Sequence, residues 1–333
     1  MDQLISELAT QARKAGRSLA ASDYLTRVNA VLAIADALIQ RKAEILAANE
    51  LDISQAKESG MVESLIDRLL LTSERIDGIA NGARKVSQLP DPLHQTLRER
   101  TLENGLHLRQ VSVPFGVVGM IYEARPNVTV DAAVILLMSG NAALLRGSAS
   151  ASESNSVLIT IMKDALSTTT ISPEVIQLVP SDDRNSVTAL LHARGSIDLV
   201  IPRGSAELIR MVVDEARVPT IETGAGVCHV YVDKDANLDK AIPILINSKT
   251  HRPSVCNAAE TLLVHKDIAP KFLPMAMKAL NESGVIMHVD QEASKYAEVL
   301  GIRAQAATAA DWSTEYGVRS EEHTSELQSL RHL

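Results

Sequence analysis

Two cysteines occur in the 333 residues, Cys228 and Cys256, and Cys256 sits in His251-Arg252-Pro253-Ser254-Val255-Cys256-Asn257, a loop entering an apolar segment. A neighbouring arginine, and a helix terminus where one abuts the loop, favour the thiolate, which is the nucleophilic form. Taken alone the residue reads first as a small buried hydrophobe, and only its surroundings make it a nucleophile. Cys228 stands directly before His229 in an apolar, strand-like run. Adjacent strand residues point to opposite faces, so Cys228, His229, His251 and Cys256 make a poor zinc set; no metal is expected, and Cys228 reads as packing.

Three further stretches carry polar chemistry. Glu123-Ala124-Arg125-Pro126-Asn127 closes the apolar run from Gly116 to Tyr122. There Asn127 could donate its amide to a developing oxyanion and Arg125 could hold an anionic group, against the plainer readings of a helix cap and a surface ion pair. Arg203-Gly204-Ser205 follows a buried strand and precedes a helix, where free backbone N–H groups suit a phosphate, although Ser205 serves equally well as an N-cap. Gly224-Ala225-Gly226, just after Glu222, is by itself a turn that permits close backbone approach.

Such residues need elements to hold them. From Asp2 to about Val86, apolar residues recur at three- and four-residue spacing, which predicts a helical N-terminal layer with Ser73 as one N-cap. Alternation around the turn dipeptide Asn104-Gly105, within 102–113, predicts a two-stranded flap. Strands are expected at 116–122, 142–145, 175–179 and 197–201, with helices at 128–139, 152–166, 186–192 and 206–216. That alternation specifies an α/β fold with a doubly wound parallel sheet, whose ligands gather at the carboxyl ends of the strands. A second α/β unit follows from Glu222, with strand 227–232, helix 238–249, the loop 251–257, strand 261–264 and helix 270–283. The break near 219–226 predicts a cleft lined by the glycine-rich turn and the second cysteine.

Composition removes several function classes. Lys+Arg is 33 and Asp+Glu is 41, giving a formal net charge of −8, and no basic run offers a phosphate-backbone footprint. With 2 Phe, 5 Tyr and 1 Trp there is no aromatic platform for stacking bases, so no nucleic acid is expected. A hydrophobic share of 46% and a charged share of 22% are ordinary for a folded protein of two or three domains. The N-terminus lacks an apolar core segment and no stretch reaches the roughly 18 apolar residues of a membrane span, so a cytoplasmic protein without membrane contact is expected. Two cysteines are too few for a disulfide framework.

Taken in order, Tyr122-Glu-Ala-Arg-Pro-Asn-Val-Thr-Val-Asp131, Ile201-Pro-Arg-Gly-Ser205, Gly226-Val-Cys-His229 and Arg252-Pro-Ser-Val-Cys-Asn257 resemble the gamma-glutamyl phosphate reductases, or glutamate-5-semialdehyde dehydrogenases, of the aldehyde dehydrogenase superfamily. The likeness covers nearly the whole chain, to about Tyr316. It implies NADPH-dependent reduction of L-glutamate 5-phosphate to L-glutamate 5-semialdehyde and phosphate, the second step of proline biosynthesis. Cys256 then becomes the nucleophile that forms a thioester, with Asn127 and the Cys256 backbone N–H as oxyanion donors. Glu222 precedes Cys256 at a separation resembling that of the general-base glutamate in hydrolytic aldehyde dehydrogenases. In a reductase it could instead be structural or steer protons.

For the cofactor, the resemblance places Arg146-Gly147-Ser148 at the adenosine ribose, with Arg146 toward the 2′-phosphate of NADPH, and Gly204, Ser205, Arg203 and Gly224 near the remainder of the dinucleotide. Arg125 and Arg252 are the anion partners of the substrate, without a choice between its phosphate and its α-carboxylate. Implied domains are an NADPH-binding domain (1–96 and 114–220), oligomerisation flap strands (97–113) and a catalytic domain (221–318). A homo-oligomer, with glutamate 5-kinase as a neighbour, is expected of the full-length form. Another acyl-phosphate reductase of the superfamily, or a fold without turnover, are the rival readings.

Past Tyr316 the resemblance stops, whereas the family continues through a section that completes the catalytic domain and returns to the flap. Arg319 to Ser329, RSEEHTSELQS, reads like the in-frame translation of a common sequencing-library adapter. The expectation is a chimeric chain whose catalytic domain is incomplete, whose natural sequence ends near Val318, and whose residues 319–333 are a non-native tail with unpaired sheet edges left behind.

Overall fold

Apolar spacing of the helical period becomes, in the computed structural model, the helices α1 (Asp2–Ala20), α2 (Tyr24–Gln40), α3 (Lys42–Glu58), α4 (Glu63–Leu69) and α5 (Ser73–Val86). The structure describes all residues except 184, 223–225, 254, 256, 315, 317–324 and 330–333. Thr72, not Ser73, is the N-cap of α5: its backbone is extended and its hydroxyl accepts from the Arg75 amide at 3.2 Å, while Ser73 is already helical. Contacts divide the chain into two compact units, Met1–Thr223 and Gly224–Leu333.

In the first unit the flap forms from β1 (Thr96–Thr101) and β2 (His107–Val111), paired antiparallel and exposed along both strands. Gly105 turns the hairpin at φ 82°, in the region that glycine enters without strain. Then β3 (Val117–Tyr122), α6 (Pro126–Met138), β4 (Ala142–Arg146), α7 (Ser152–Ser167), β5 (Ile176–Leu178), α8 (Asn185–His192), β6 (Leu199–Arg203) and α9 (Ala206–Glu215) alternate. The sheet is parallel, in the order β5-β4-β3-β6. The chain moves outward one way from β3 through β4 to β5 and then returns to the other side, so the order reverses between β3 and β6.

Strand periodicity sorts the core into two layers. Val118, Tyr122, Ala143 and Leu145 join the apolar cluster that contains residues of α2, α5, α6 and α7. Their neighbours Val117, Ile121, Ala142 and Leu144 join the cluster built with α1 and α8. Both faces are thus covered, which is why these strands are continuous apolar runs instead of alternating ones.

The second unit has β7 (Cys228–Val232), α10 (Leu238–Thr250), β8 (Ala259–Val264), α11 (Ala269–Glu282), β9 (Val285–Val289), α12 (Gln291–Leu300), β10 (Gln305–Ala306) and β11 (Ser325–Ser329). Its sheet runs β10-β9-β11-β8-β7, with every described pairing parallel. Phe272, Leu273, Ala276 and Leu280 of α11 pack on Leu262, Val264, Val285 and Met287. Past β9, the Asp311 carboxyl accepts from His288 Nδ1 at 2.9 Å, from the Thr308 hydroxyl at 2.6 Å and from Tyr316. Burial pushes that carboxyl up, but these hydrogen bonds and the His288 charge together hold it well below the usual carboxylate range.

Candidate active site

Register alone gathers most of the sequence candidates of the first unit. Tyr122 at the end of β3 lies opposite Arg203 at the end of β6, and Ile121 opposite Arg146 at the end of β4. The segments 123–127, 146–148 and 203–205 therefore leave the same carboxyl edge of one sheet, on either side of the order reversal.

Asn127 does not cap a helix. Arg125 is the N-cap residue of α6, without a side-chain cap bond, and Pro126 takes the first helical position, where its missing N–H costs nothing. Asn127 Nδ2 donates instead to Asp131 Oδ2 at 3.0 Å, one turn along the same helix face. Burial pushes the Asp131 carboxyl up, and this hydrogen bond opposes the shift. Arg125 is half-buried beside it.

At β6, Ser205 is the N-cap of α9, accepting from the Leu208 amide at 3.3 Å. Its own N–H and hydroxyl both donate to Glu123, at 2.9 and 2.7 Å. A Cβ on Gly204 would stand 2.7 Å from Glu123 Cδ and 2.8 Å from Leu208 Cδ2, so a larger residue here would push the Glu123 carboxylate off the Ser205 amide. A side-chain carboxylate thus already occupies an anion-accepting backbone group. Arg203 is exposed next to it.

Beyond β4 and β5 lies a cavity of about 320 Å³ lined by Gly147, Glu153, Asn155, Pro180, Ser181 and Asp182 among others. Gly147 is needed here as well: a Cβ would come within 2.2 Å of Asn155 Nδ2. That asparagine belongs to a buried chain in which Tyr122 and Thr129 hydroxyls meet at 2.8 Å and Thr129 donates to Asn155 Oδ1 at 2.7 Å. Arg146 reaches the Ser186 hydroxyl at 3.1 Å and the Ser181 carbonyl at 3.4 Å, tying the end of β4 to the loop after β5. Ser148 accepts from the Ser150 amide at 3.3 Å and shapes the turn into α7. The buried Asp52 takes the Glu153 and Ser154 amides at 3.2 and 2.8 Å, so the N-terminus of α7 is closed by protein.

In the second unit, Cys228 is half-buried and His229 exposed, on either side of an irregularity in the pairing with β8. Among the described residues no group of three or more His, Cys, Asp or Glu gathers to hold a metal ion. Cys256 and Gly224 lie outside the described residues, while Arg252 is exposed, as is Glu222 at the end of the first unit. Lys249 in the last turn of α10 meets Glu260 at the start of β8 at 2.7 Å, with side-chain exposures of 1% and 2%.

Sequence reasoning missed Glu123 as an occupant of the Ser205 amide, Asp52, Asn155 and the Lys249–Glu260 pair. Only Asp131 left a legible signal, an acid four residues after Asn127 within the apolar stretch Val128 to Met138.

Comparisons with known proteins place the chain in a family. The aldehyde dehydrogenase family model matches residues 2–297. A gamma-glutamyl phosphate reductase of Thermobifida fusca is 50% identical over 312 residues, 94% of this chain and 74% of that protein. One of Kineococcus radiotolerans is 45% identical over 316 residues, 95% of this chain and 73% of that protein. The crystal structure of a gamma-glutamyl phosphate reductase from Thermotoga maritima is similar with a TM-score of 0.87 at 39% identity, covering 98% of this chain and 77% of that one.

Proposed function

The chain belongs to the aldehyde dehydrogenase family and, within it, to the gamma-glutamyl phosphate reductases, and from that membership we propose that it reduces L-glutamate 5-phosphate to L-glutamate 5-semialdehyde with NADPH, in proline biosynthesis. The observation that carries the reading is 50% identity over 312 residues to a relative of that name.

In the proposed sequence of steps, the Cys256 thiolate attacks the acyl carbon, the bond from that carbon to the phosphate oxygen breaks, and phosphate leaves with the electron pair. A dinucleotide held at the cofactor residues would supply hydride for reduction of the resulting thioester. The carbon–sulfur bond of the hemithioacetal then breaks, returning the thiolate and releasing the aldehyde. Each addition puts negative charge on the carbonyl oxygen, which the second Asn127 Nδ2 hydrogen and the Cys256 backbone N–H receive. Arg125 and Arg252 hold the anionic groups of the substrate. Glu222, with no water to activate, has a structural or proton-steering role.

The cavity after β4 and β5 suits an adenosine, and Gly147 keeps its wall open. Preference for NADPH rests on Arg146 and on the absence of an acid at 148–150; Glu153 and Asp182 in the lining weigh the other way, so the 2′-phosphate depends on the Arg146 guanidinium. Gly204, Ser205 and Arg203 would hold the pyrophosphate once Glu123 yields the amide, and Gly224 belongs to the same proposed cofactor set. The flap, 97–113, serves a homo-oligomer, in a cytoplasmic setting with glutamate 5-kinase nearby. Residues 221–318 form the catalytic domain, and 319–333 are a tail foreign to it.

The test is NADP⁺ reduction by purified protein given glutamate 5-semialdehyde and phosphate. Turnover should disappear in Cys256→Ala, and turnover that survives this change removes the thioester route. Arg146→Ala should raise KM for NADP⁺ and leave that for NAD⁺ in place; an equal rise for both removes the 2′-phosphate role.

A further inference from the structure

The amide of Asn127 can present either of two ends to a reacting carbonyl, and only one of them helps. Nδ2 stabilises a developing oxyanion, whereas Oδ1 repels it. On the oxyanion role proposed above for Asn127, we propose that Asp131 is the positioning residue that selects the Nδ2 end.

The two residues lie four apart on α6, one above the other on the same face, with Nδ2 to Oδ2 at 3.0 Å. Among the described residues this is the one hydrogen bond that either side chain makes. A carboxylate only accepts, so it is satisfied by Nδ2 and not by Oδ1; turning the amide over would set two oxygens against each other. One Nδ2 hydrogen is thereby committed to Asp131, and the other stays available at the carboxyl edge of the sheet.

Position and burial make the arrangement deliberate. Asp131 is the sole acid of a helix whose other residues are apolar or small and polar, apart from Asn127 itself. Its carboxyl is half-buried, and burial pushes its pKa up, the mark of a group that needs a donor and has one. Acceptor geometry, not negative charge, does the selecting, because a charge beside the oxyanion opposes its formation. An asparagine at 131 therefore serves as well, accepting the same hydrogen through Oδ1.

A double-mutant cycle in the NADP⁺-reduction assay decides the matter. Asp131→Ala should lower kcat roughly tenfold with KM unchanged, less than the ~10² to 10³-fold loss from deleting an oxyanion donor. Asp131→Asn should stay within about twofold of the parent, and Asp131→Ala should cost nothing further on top of Asn127→Ala. The positioning role is overturned by parental kcat in Asp131→Ala, by equal damage in Asp131→Asn, or by a loss of the same size in the Asn127→Ala background. Parental kcat in Asn127→Ala is a different result: it removes the oxyanion reading itself, and the role of Asp131 with it.

Discussion

Glu123 decides what the end of β6 can bind before any ligand arrives. Its carboxylate takes both the N–H and the hydroxyl of Ser205, so the pyrophosphate proposed for this turn would have to displace an anion of the protein itself. An anion at an exposed helix N-terminus contributes ~0.3–1 kcal/mol, which is the handicap to be removed. In Glu123→Ala the dissociation constant for NADPH, measured by calorimetric titration, should fall about two- to fivefold. An unchanged or higher value means that the carboxylate orients this turn instead of blocking it. Side-chain identities made Ser205 a candidate; that its amide is already taken depends on a residue 82 positions away in sequence.

At the scale of elements, the segment that carries Cys256 is held at its two ends by one buried ion pair. Lys249 and Glu260 close α10 onto β8 with almost no solvent access. Such a pair is not a gain over apolar residues of equal size, but removing one member of a buried pair costs about 3–5 kcal/mol. Lys249→Met should lower the unfolding temperature of the second unit sharply, and Lys249→Met with Glu260→Leu should recover a large part of the loss. Independent, additive losses in the two single variants would instead mean that the pair is not what joins these elements. The α/β alternation was readable from apolar run lengths, and the expected strands of the two parallel sheets fall within two residues of their places, whereas the first flap strand, Thr96–Thr101, lies ahead of the expected 102–113 because its polar, exposed residues carry no apolar signal. The elements β9, α12, β10 and β11 were not read, although the apolar run Val285 to Val289 between Gly284 and the N-cap Asp290 carries the signal of a strand followed by a helix.

Across the whole molecule, the division at Thr223 predicts that the chain does not unfold as one cooperative block. Scanning calorimetry should resolve two transitions. In the second unit, β11 lies between β8 and β9, in register with β9 from Ser325 to Ser329. A central parallel strand is ordinarily an apolar run, and Ser-Glu-Leu-Gln-Ser is not. Deleting 319–333 should leave the first transition in place and lower the second by only a few degrees. Replacing it with the C-terminal section of a relative should raise the second transition well above the parent. A large drop on deletion, with no gain on replacement, removes the proposal that this tail is foreign to the fold.

By itself the sequence determined the fold class, the helical first layer, the parallel sheet and the list of side chains able to do chemistry, because apolar period and local turn chemistry act within a few residues. It also brought Asn127 and Asp131 to one helix face, since i and i+4 always meet there. Only the tertiary structure decided which polar groups were already occupied. Asp52 closes α7 and Glu123 fills the Ser205 amide through contacts between residues distant in sequence, and Asn155, held by Thr129, fixes the floor under Gly147. A hydrogen bond is selected by what else is within 3 Å once the chain has folded, and no spacing along the sequence encodes that.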